Sequence, residues 1–179
     1  MIKVASVQIN SEFSGQYYLP YSIGLLVSYF KKHSLNPSRY EFMLPIFKRD
    51  QLGDMLNAII DCDIALFSAY VWNINISLAL AEELKRKNKE VLIIFGGPSV
   101  PDRPEKFLQL HPFIDLLCHQ EGERTLTSVL DQFPTKNWCE IPGISFQNNN
   151  GDVTVNSVLP RIRDLTVLPS PYLDGIFDG

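Results

Sequence analysis

The chain has 179 residues, 45% of them hydrophobic and 20% charged, with a formal net charge of −4. That length fits one domain, and the balance is that of a globular protein, which excludes a disordered or coiled-coil chain. The acidic balance argues against a nucleic-acid surface, which needs a basic stripe, and the longest apolar run, residues 91–95, is far short of the ~20 residues that span a bilayer.

Residues 3–9 (KVASVQI) read as a buried strand closed by Asn10, Ser11 and Glu12. Residues 19–32 carry apolar side chains at 23, 26, 27 and 30, a helical stripe with Pro20 in its first turn. Residues 40–46 form a weaker strand that ends at Pro45. Asp50 is expected to cap a helix running to about Ile60. Residues 63–69 (DIALFSA) are a second apolar strand, and the helix that follows, at about 74–87, ends in Lys85, Arg86 and Lys87, which complement its dipole. Residues 90–95 are the most hydrophobic strand and run into Gly96, Gly97 and Pro98. A short helix at about 104–109, a strand at 114–118 and a helix at about 123–133 complete the pattern. Strands that are apolar on both faces and alternate with helices predict a parallel sheet covered on both sides. The expected fold is therefore a doubly wound, Rossmann- or flavodoxin-like α/β domain with five mostly parallel strands. Residues 144–147 and 153–156 flank a turn-rich stretch and predict a β-hairpin. From Leu159 onward an irregular, proline-bearing tail is expected to wrap a surface or to lead elsewhere. The divisions are 1–134 for the main domain, 135–158 for the hairpin extension and 159–179 for a linker.

In open parallel sheets, ligands sit beyond the carboxyl ends of the strands. Gly96, Gly97 and Pro98 let backbone approach a ligand closely, or else make a strand-to-helix turn that needs a positive φ. Their spacing lacks the fingerprints of dinucleotide and P-loop sites. Ser68, Tyr70, Val71, Trp72 and Asn73 place a hydroxyl, two aromatic rings and an amide at a strand end. That set suits a flat heteroaromatic ligand, or alternatively packs the top of the core. Glu121 and Gly122 face the same cleft, whereas Glu123 reads as a cap on the last helix. His33, His111 and His119 are scattered, so no metal site is assigned. No nucleophile, base and orienter come together, so no catalytic residue is assigned. The three cysteines, Cys62, Cys118 and Cys139, are far apart, which fits a reducing, cytoplasmic setting. No cleavable leader is visible after Met1.

Several segments together resemble the N-terminal cobalamin-binding domain of B12-dependent radical SAM proteins. They are Tyr18-Leu19-Pro20 with Gly24-Leu25-Leu26, Ser68 to Asn73, Phe95-Gly96-Gly97-Pro98, Gln120-Glu121-Gly122-Glu123 and Ile141-Pro142-Gly143-Ile144-Ser145-Phe146. The last is Ile162-Arg163-Asp164-Leu165 followed by Leu168-Pro169-Ser170-Pro171-Tyr172. The resemblance implies a cobalamin ligand, with Ser68 and Gly96-Gly97 in the places of two of the three cobalamin-binding elements. In the first element Glu12 stands where a cobalt-ligating histidine would be. The implied state is base-off without a histidine ligand, the dimethylbenzimidazole tail entering the cleft beside Ser68 and the glycine pair.

The resemblance further implies a [4Fe–4S] cluster and S-adenosylmethionine in a following radical SAM domain. This chain has no Cys-x3-Cys-x2-Cys motif for such a cluster. The expectation is a cofactor module, not catalytic alone, whose partner is its own C-terminal radical SAM domain and whose full protein performs methyl transfer or carbon-skeleton chemistry. The competing reading is a vestigial domain that binds no cobalamin and serves as a docking or substrate-gating module. A nucleotide-binding protein of flavodoxin type ranks behind both, because the phosphate cradle it needs is missing.

Overall fold

In the computed structural model, which describes residues 1–148 and 150–178, strands and helices alternate as their periodicity predicts. The elements are β1 (Ile2–Val7), α1 (Tyr21–His33), β2 (Tyr40–Phe42), α2 (Leu52–Ile59), β3 (Ile64–Ser68) and α3 (Ile74–Lys87). They continue with β4 (Leu92–Gly96), α4 (Glu105–Leu110), β5 (Leu116–Cys118), α5 (Gly122–Gln132), β6 (Ile144–Gln147) and β7 (Val153–Val155). Asn149, in the expected hairpin turn, and Gly179, at the end of the expected linker, lie outside the described residues.

The strand order is β2-β1-β3-β4-β5-β6-β7. The first five strands are parallel, and β6 runs antiparallel to both β5 and β7. The sheet thus has seven strands rather than the expected five. The hairpin is where the pattern put it, but it is a continuation of the sheet. Leu117 pairs with Ser145 and Cys118 with Ile144, and His119 N–H extends the ladder to Gly143 O at 2.8 Å. Alternation within a hairpin reports its buried face and not the edge it will join, so periodicity is silent on this docking. Joining covers the outer edge of β5, which would otherwise present unpaired backbone groups.

Side chains of alternate parity build two separate cores. Ala65, Phe67, Ile93 and Phe95 face α2, α3 and α4, where Met55, Ile59, Leu80, Leu84 and Leu108 meet them. The Phe67 and Phe95 rings stack with centroids 4.8 Å apart. Ile64, Leu66, Leu92 and Ile94 face the other way, toward Phe30 of α1 and Leu126, Val129 and Leu130 of α5. Each such large side chain, fully buried, contributes roughly 1.5–3 kcal/mol of transfer free energy.

One local expectation is corrected and another is extended. Asp50 does not cap α2: among the described residues its carboxylate accepts only the neighbouring Gln51 N–H, at 2.8 Å. Gln51 is the N-cap and supplies no side-chain cap among the described residues. The turn begins one residue later than the sequence suggests because Asp50 closes on its own neighbour. In the basic last turn of α3, Lys85 does more than complement a dipole. Its ammonium donates to Val91 O at 2.6 Å and pairs with Asp115 at 2.8 Å, while Asp115 also accepts Ile93 N–H. These contacts tie α3 to the start of β4 and the approach to β5, at the end of the sheet away from the ligand edge.

Candidate functional site

The strand order reverses between β1 and β3, so the crevice expected for a ligand opens above these strands and β4. A cavity of about 230 Å³ lies there, between the sheet and the α1–α5 pair. Leu66 and Ile94 make its floor, Leu26 and Leu126 line its helical side, and Ser22, Ser68 and Tyr70 stand among its polar walls. Gly96, Gly97, Pro98 and Gly122 complete the narrow part. Strand parity explains why this side is hollow. Ser68 pairs with Gly96 one step beyond Leu66 and Ile94, so the large residues of the floor give way to small ones toward the opening.

A second, broader and more open cavity of about 510 Å³ adjoins the ends of β1 and β3, bounded by Gln8, Asn10, Glu12, Phe13, Tyr18 and Trp72, among others. Phe13, Tyr18 and Val71 are exposed around this end of the sheet, an apolar rim unusual for a surface facing only water.

A polar cluster stands between the slot and this shelf. Ser22 Oγ donates to Gln8 Oε1 at 2.6 Å, and Ile23 N–H reaches the same oxygen at 3.3 Å. That backbone donor fixes which end of the Gln8 amide faces α1. With the Ser22 proton committed to Gln8, the Tyr70 hydroxyl, 3.1 Å from Ser22 Oγ, is the donor in that pair. Ser68 Oγ lies 3.5 Å from Ser22 Oγ, too long to hold its proton firmly, which leaves Ser68 free to bond an occupant of the slot. The Tyr70 ring stacks on Trp72 at 4.6 Å and 13°, so the cluster anchors an aromatic pair at the boundary of the two cavities.

The structure brings Ser68, Tyr70, Gly96, Gly97, Pro98, Glu121 and Gly122 together around the slot. Trp72 lies on the shelf instead. Val71 projects outward, 82% exposed. Asn73 is only 1% exposed, and its amide is fully engaged: Nδ2 donates to Ile9 O and Ser68 O, both at 3.0 Å, and Oδ1 accepts Tyr70 N–H at 2.8 Å. It knots the ends of β1 and β3 together. Gly97 holds φ +101, and a Cβ there would lie 2.8 Å from Ala69 O, so the glycine is required by the turn as well as by the slot.

At the start of α5, Glu121 occupies the N-cap position, and neither it nor another side chain caps the helix among the described residues. Its carboxylate instead accepts Ile162 N–H from the tail at 2.6 Å. The capping role expected of Glu123 is not found, because its Oε2 is buried and meets no donor among the described residues. His119 Nε2 is 2.7 Å from Ser145 Oγ. Burial lowers its pKa, opposed by the Asp102 charge. Burial pushes the Cys118 thiol, at the slot wall, up to about 12, so it is no nucleophile at neutral pH.

Sequence reasoning missed Gln8 and Ser22. The signal was present for Gln8, a polar residue near the end of an otherwise apolar strand. Ser22 carries no comparable mark, since serine in a first helical turn is commonplace.

Fold and site together define an α/β domain with a narrow slot and an adjoining aromatic-rimmed shelf at the carboxyl edge of its sheet. Residues 41–130 match the B12 binding domain, and the chain belongs to that family. It is 34% identical over 166 residues to the cobalamin-dependent radical SAM methyltransferase TokK of Streptomyces tokunonensis, covering 90% of this chain and 24% of that protein. A 2-(S-pantetheinyl)-carbapenam-3-carboxylate methyltransferase of Streptantibioticus cattleyicolor is 32% identical over 164 residues, with 90% of this chain and 24% of the relative covered. The chain therefore spans about a quarter of the length of these relatives. Among solved structures, the cobalamin-dependent S-adenosylmethionine radical enzyme OxsB with aqua-cobalamin and S-adenosylmethionine bound superposes with a TM-score of 0.76. It is 21% identical, with 98% of this chain and 25% of that one covered. The methyltransferase TsrM from Kitasatospora setae gives 0.66 at 16% identity, covering 87% of this chain and 30% of its own. These likenesses are of fold.

Proposed function

We propose that this chain is the cobalamin-holding module of a longer radical SAM enzyme of methyltransferase type. The observation that carries the reading is the slot between the sheet and the α1–α5 pair, in a chain of the B12-binding family. At about 230 Å³ it is smaller than the ~300–1,000 Å³ of pockets that engulf a drug-sized ligand. It suits one flat arm of a large cofactor, the benzimidazole nucleotide, while the open shelf beside it suits the corrin. The residues fit that arm. A Cβ at Gly96 would stand 3.7 Å from Cys118 Cβ, in the slot itself, so its absence keeps the floor open.

Each predicted residue then has a task. Ser68 offers its free hydroxyl to the buried base, while Gly96, Gly97, Pro98 and Gly122 admit it closely and Glu121 stands at the helical wall. Tyr70 and Trp72 present aromatic surface where slot meets shelf, Val71 reaches outward from the same loop, and Asn73 holds that loop in place. Glu12, in the exposed loop after β1, supplies no imidazole, so a cobalamin whose benzimidazole arm entered the slot would be held base-off without a histidine from this loop. When bound, cobalamin supplies cobalt chemistry suited to one-carbon groups. The [4Fe–4S] cluster and S-adenosylmethionine belong to a separate catalytic domain. The chain's own residues bind and orient.

Titrating the purified chain with hydroxocobalamin, then desalting, tests this. Retained colour, with the spectral shift of a displaced benzimidazole, is the expected result. Complete loss of colour refutes cobalamin binding by this chain and returns the vestigial docking reading.

A further inference from the structure

The residues from 159 to 178 form neither helix nor strand beyond a short 3₁₀ turn at Leu165–Val167, yet they are pinned at two places. At the first, Ile162 is buried and its N–H donates to Glu121 Oε2 at 2.6 Å. At the second, Pro171 and Phe177 fill a notch over Gly24. A Cβ on that glycine would overlap the Phe177 ring and lie 3.0 Å from Pro171 Cβ. The Tyr172 ring stacks on Tyr21 beside it, centroids 6.0 Å apart.

The two pins sit at different helices, one at the N-cap of α5 and one on α1, and these are the two that wall the slot. Glu121 and Ile23, the neighbour of Gly24, both line it. The helices also approach each other closely here: a Cβ on Gly122 would lie 3.1 Å from Leu26 Cδ2. An occupant wedged between sheet and helices must lean on α1 and α5, and the tail holds both.

We propose that residues 159–178 are a strap whose docking sets the gap between α1 and α5, so that strap docking and slot occupancy are thermodynamically linked. The inference rests on the slot being the cobalamin site. Linkage is reciprocal, so the factor by which a docked strap tightens cobalamin is the factor by which cobalamin tightens the strap.

The test uses Gly24→Ala in the full chain. Alanine is the better helix former, so α1 is kept while the new methyl displaces Phe177. Phe177→Ala, outside any helix and away from the slot, is the second variant. Both are expected to release hydroxocobalamin at least about five-fold faster than the natural chain, with far-UV circular dichroism unchanged. In the natural chain, cobalamin is expected to slow exchange of the Ile162 amide by a similar factor. Retained colour with natural release rates in both variants and an Ile162 amide indifferent to cobalamin would overturn the strap and leave the site reading intact. A natural chain that keeps no colour would overturn the site reading and the strap with it.

Discussion

Gly97→Ala isolates the turn that links β4 to the ligand edge. At φ +101 an added Cβ lies 2.8 Å from Ala69 O and 3.1 Å from Ala69 N. Ala69 cannot simply retreat, because its N–H donates to Gly96 O at 2.7 Å and its carbonyl accepts Ser99 N–H at 3.1 Å. Placing an L-residue at positive φ costs roughly 1–2 kcal/mol. Weakening the two backbone hydrogen bonds costs about 0.5–1.5 kcal/mol each. The lower chain entropy of unfolded alanine offsets about 0.4–1 kcal/mol. The net destabilisation is about 1–5 kcal/mol. At about 2–4 °C per kcal/mol for a domain of this size, Tm should fall by roughly 2–20 °C. Thermal unfolding followed by circular dichroism, with a urea titration as a check on cooperativity, measures it. An unchanged or raised Tm would show that the β4 turn reshapes freely and that the close approach to Ala69 is no constraint.

Gly96→Val should behave in the opposite way. Its Cβ meets Cys118 at an ordinary 3.7 Å, so Tm should move by only a few degrees, while the branched methyls fill the slot and weaken cobalamin retention by about ten-fold or more, read by the same desalting assay. Burial lowers the pKa of both His111 and His119 below 6.5, so the unfolded chain takes up those protons first as pH falls. Stability should be whole above about pH 6.5 and decline below it toward the folded-state values. Urea midpoints at about pH 7.5 and about pH 5.5 should show the drop, reduced in His119→Gln, and equal drops in the two proteins would rule out His119 as its source. Burial pushes the Cys62 and Cys118 thiols up to about 12, whereas Cys139 is exposed. A thiol reagent at pH 8 should therefore modify Cys139 rapidly in the folded chain and reach the other two only in denaturant, and fast labelling of Cys118 would mean that the slot wall opens.

Much of this architecture was readable from residue pattern. The runs at 63–69 and 90–95 carry large apolar side chains at both parities, which only a strand covered on two faces can bury, and they became β3 and β4. The small residues at 68 and 96–97 fall beside the slot, which larger ones would have filled. What stayed hidden depends on contacts between segments distant in sequence. The addition of β6 to β5 is a choice of edge, which alternation does not encode. Asn73 has the composition of a ligand contact, but its environment, set by the carbonyls of Ile9 and Ser68, turned it inward. The Ser22–Gln8 pair spans two elements. The tail looked unstructured because its anchors are single residues, Ile162, Pro171 and Phe177, spaced without period.

The two parities of β3 and β4 also divide the labour of the domain. Ala65, Phe67, Ile93 and Phe95 face a filled interior, where a lost methylene leaves a void and is felt throughout the fold. Leu66, Ser68, Ile94 and Gly96, one step along the same strands, face the slot, where a changed side chain alters the room offered to a guest. Robustness and capacity are thus written on opposite sides of one short ribbon. Variation at Ser68 and Gly96, the strand ends of one parity, can reshape the room in the slot, while Phe67 and Phe95 of the other parity, with the buried residues below them, keep the fold standing.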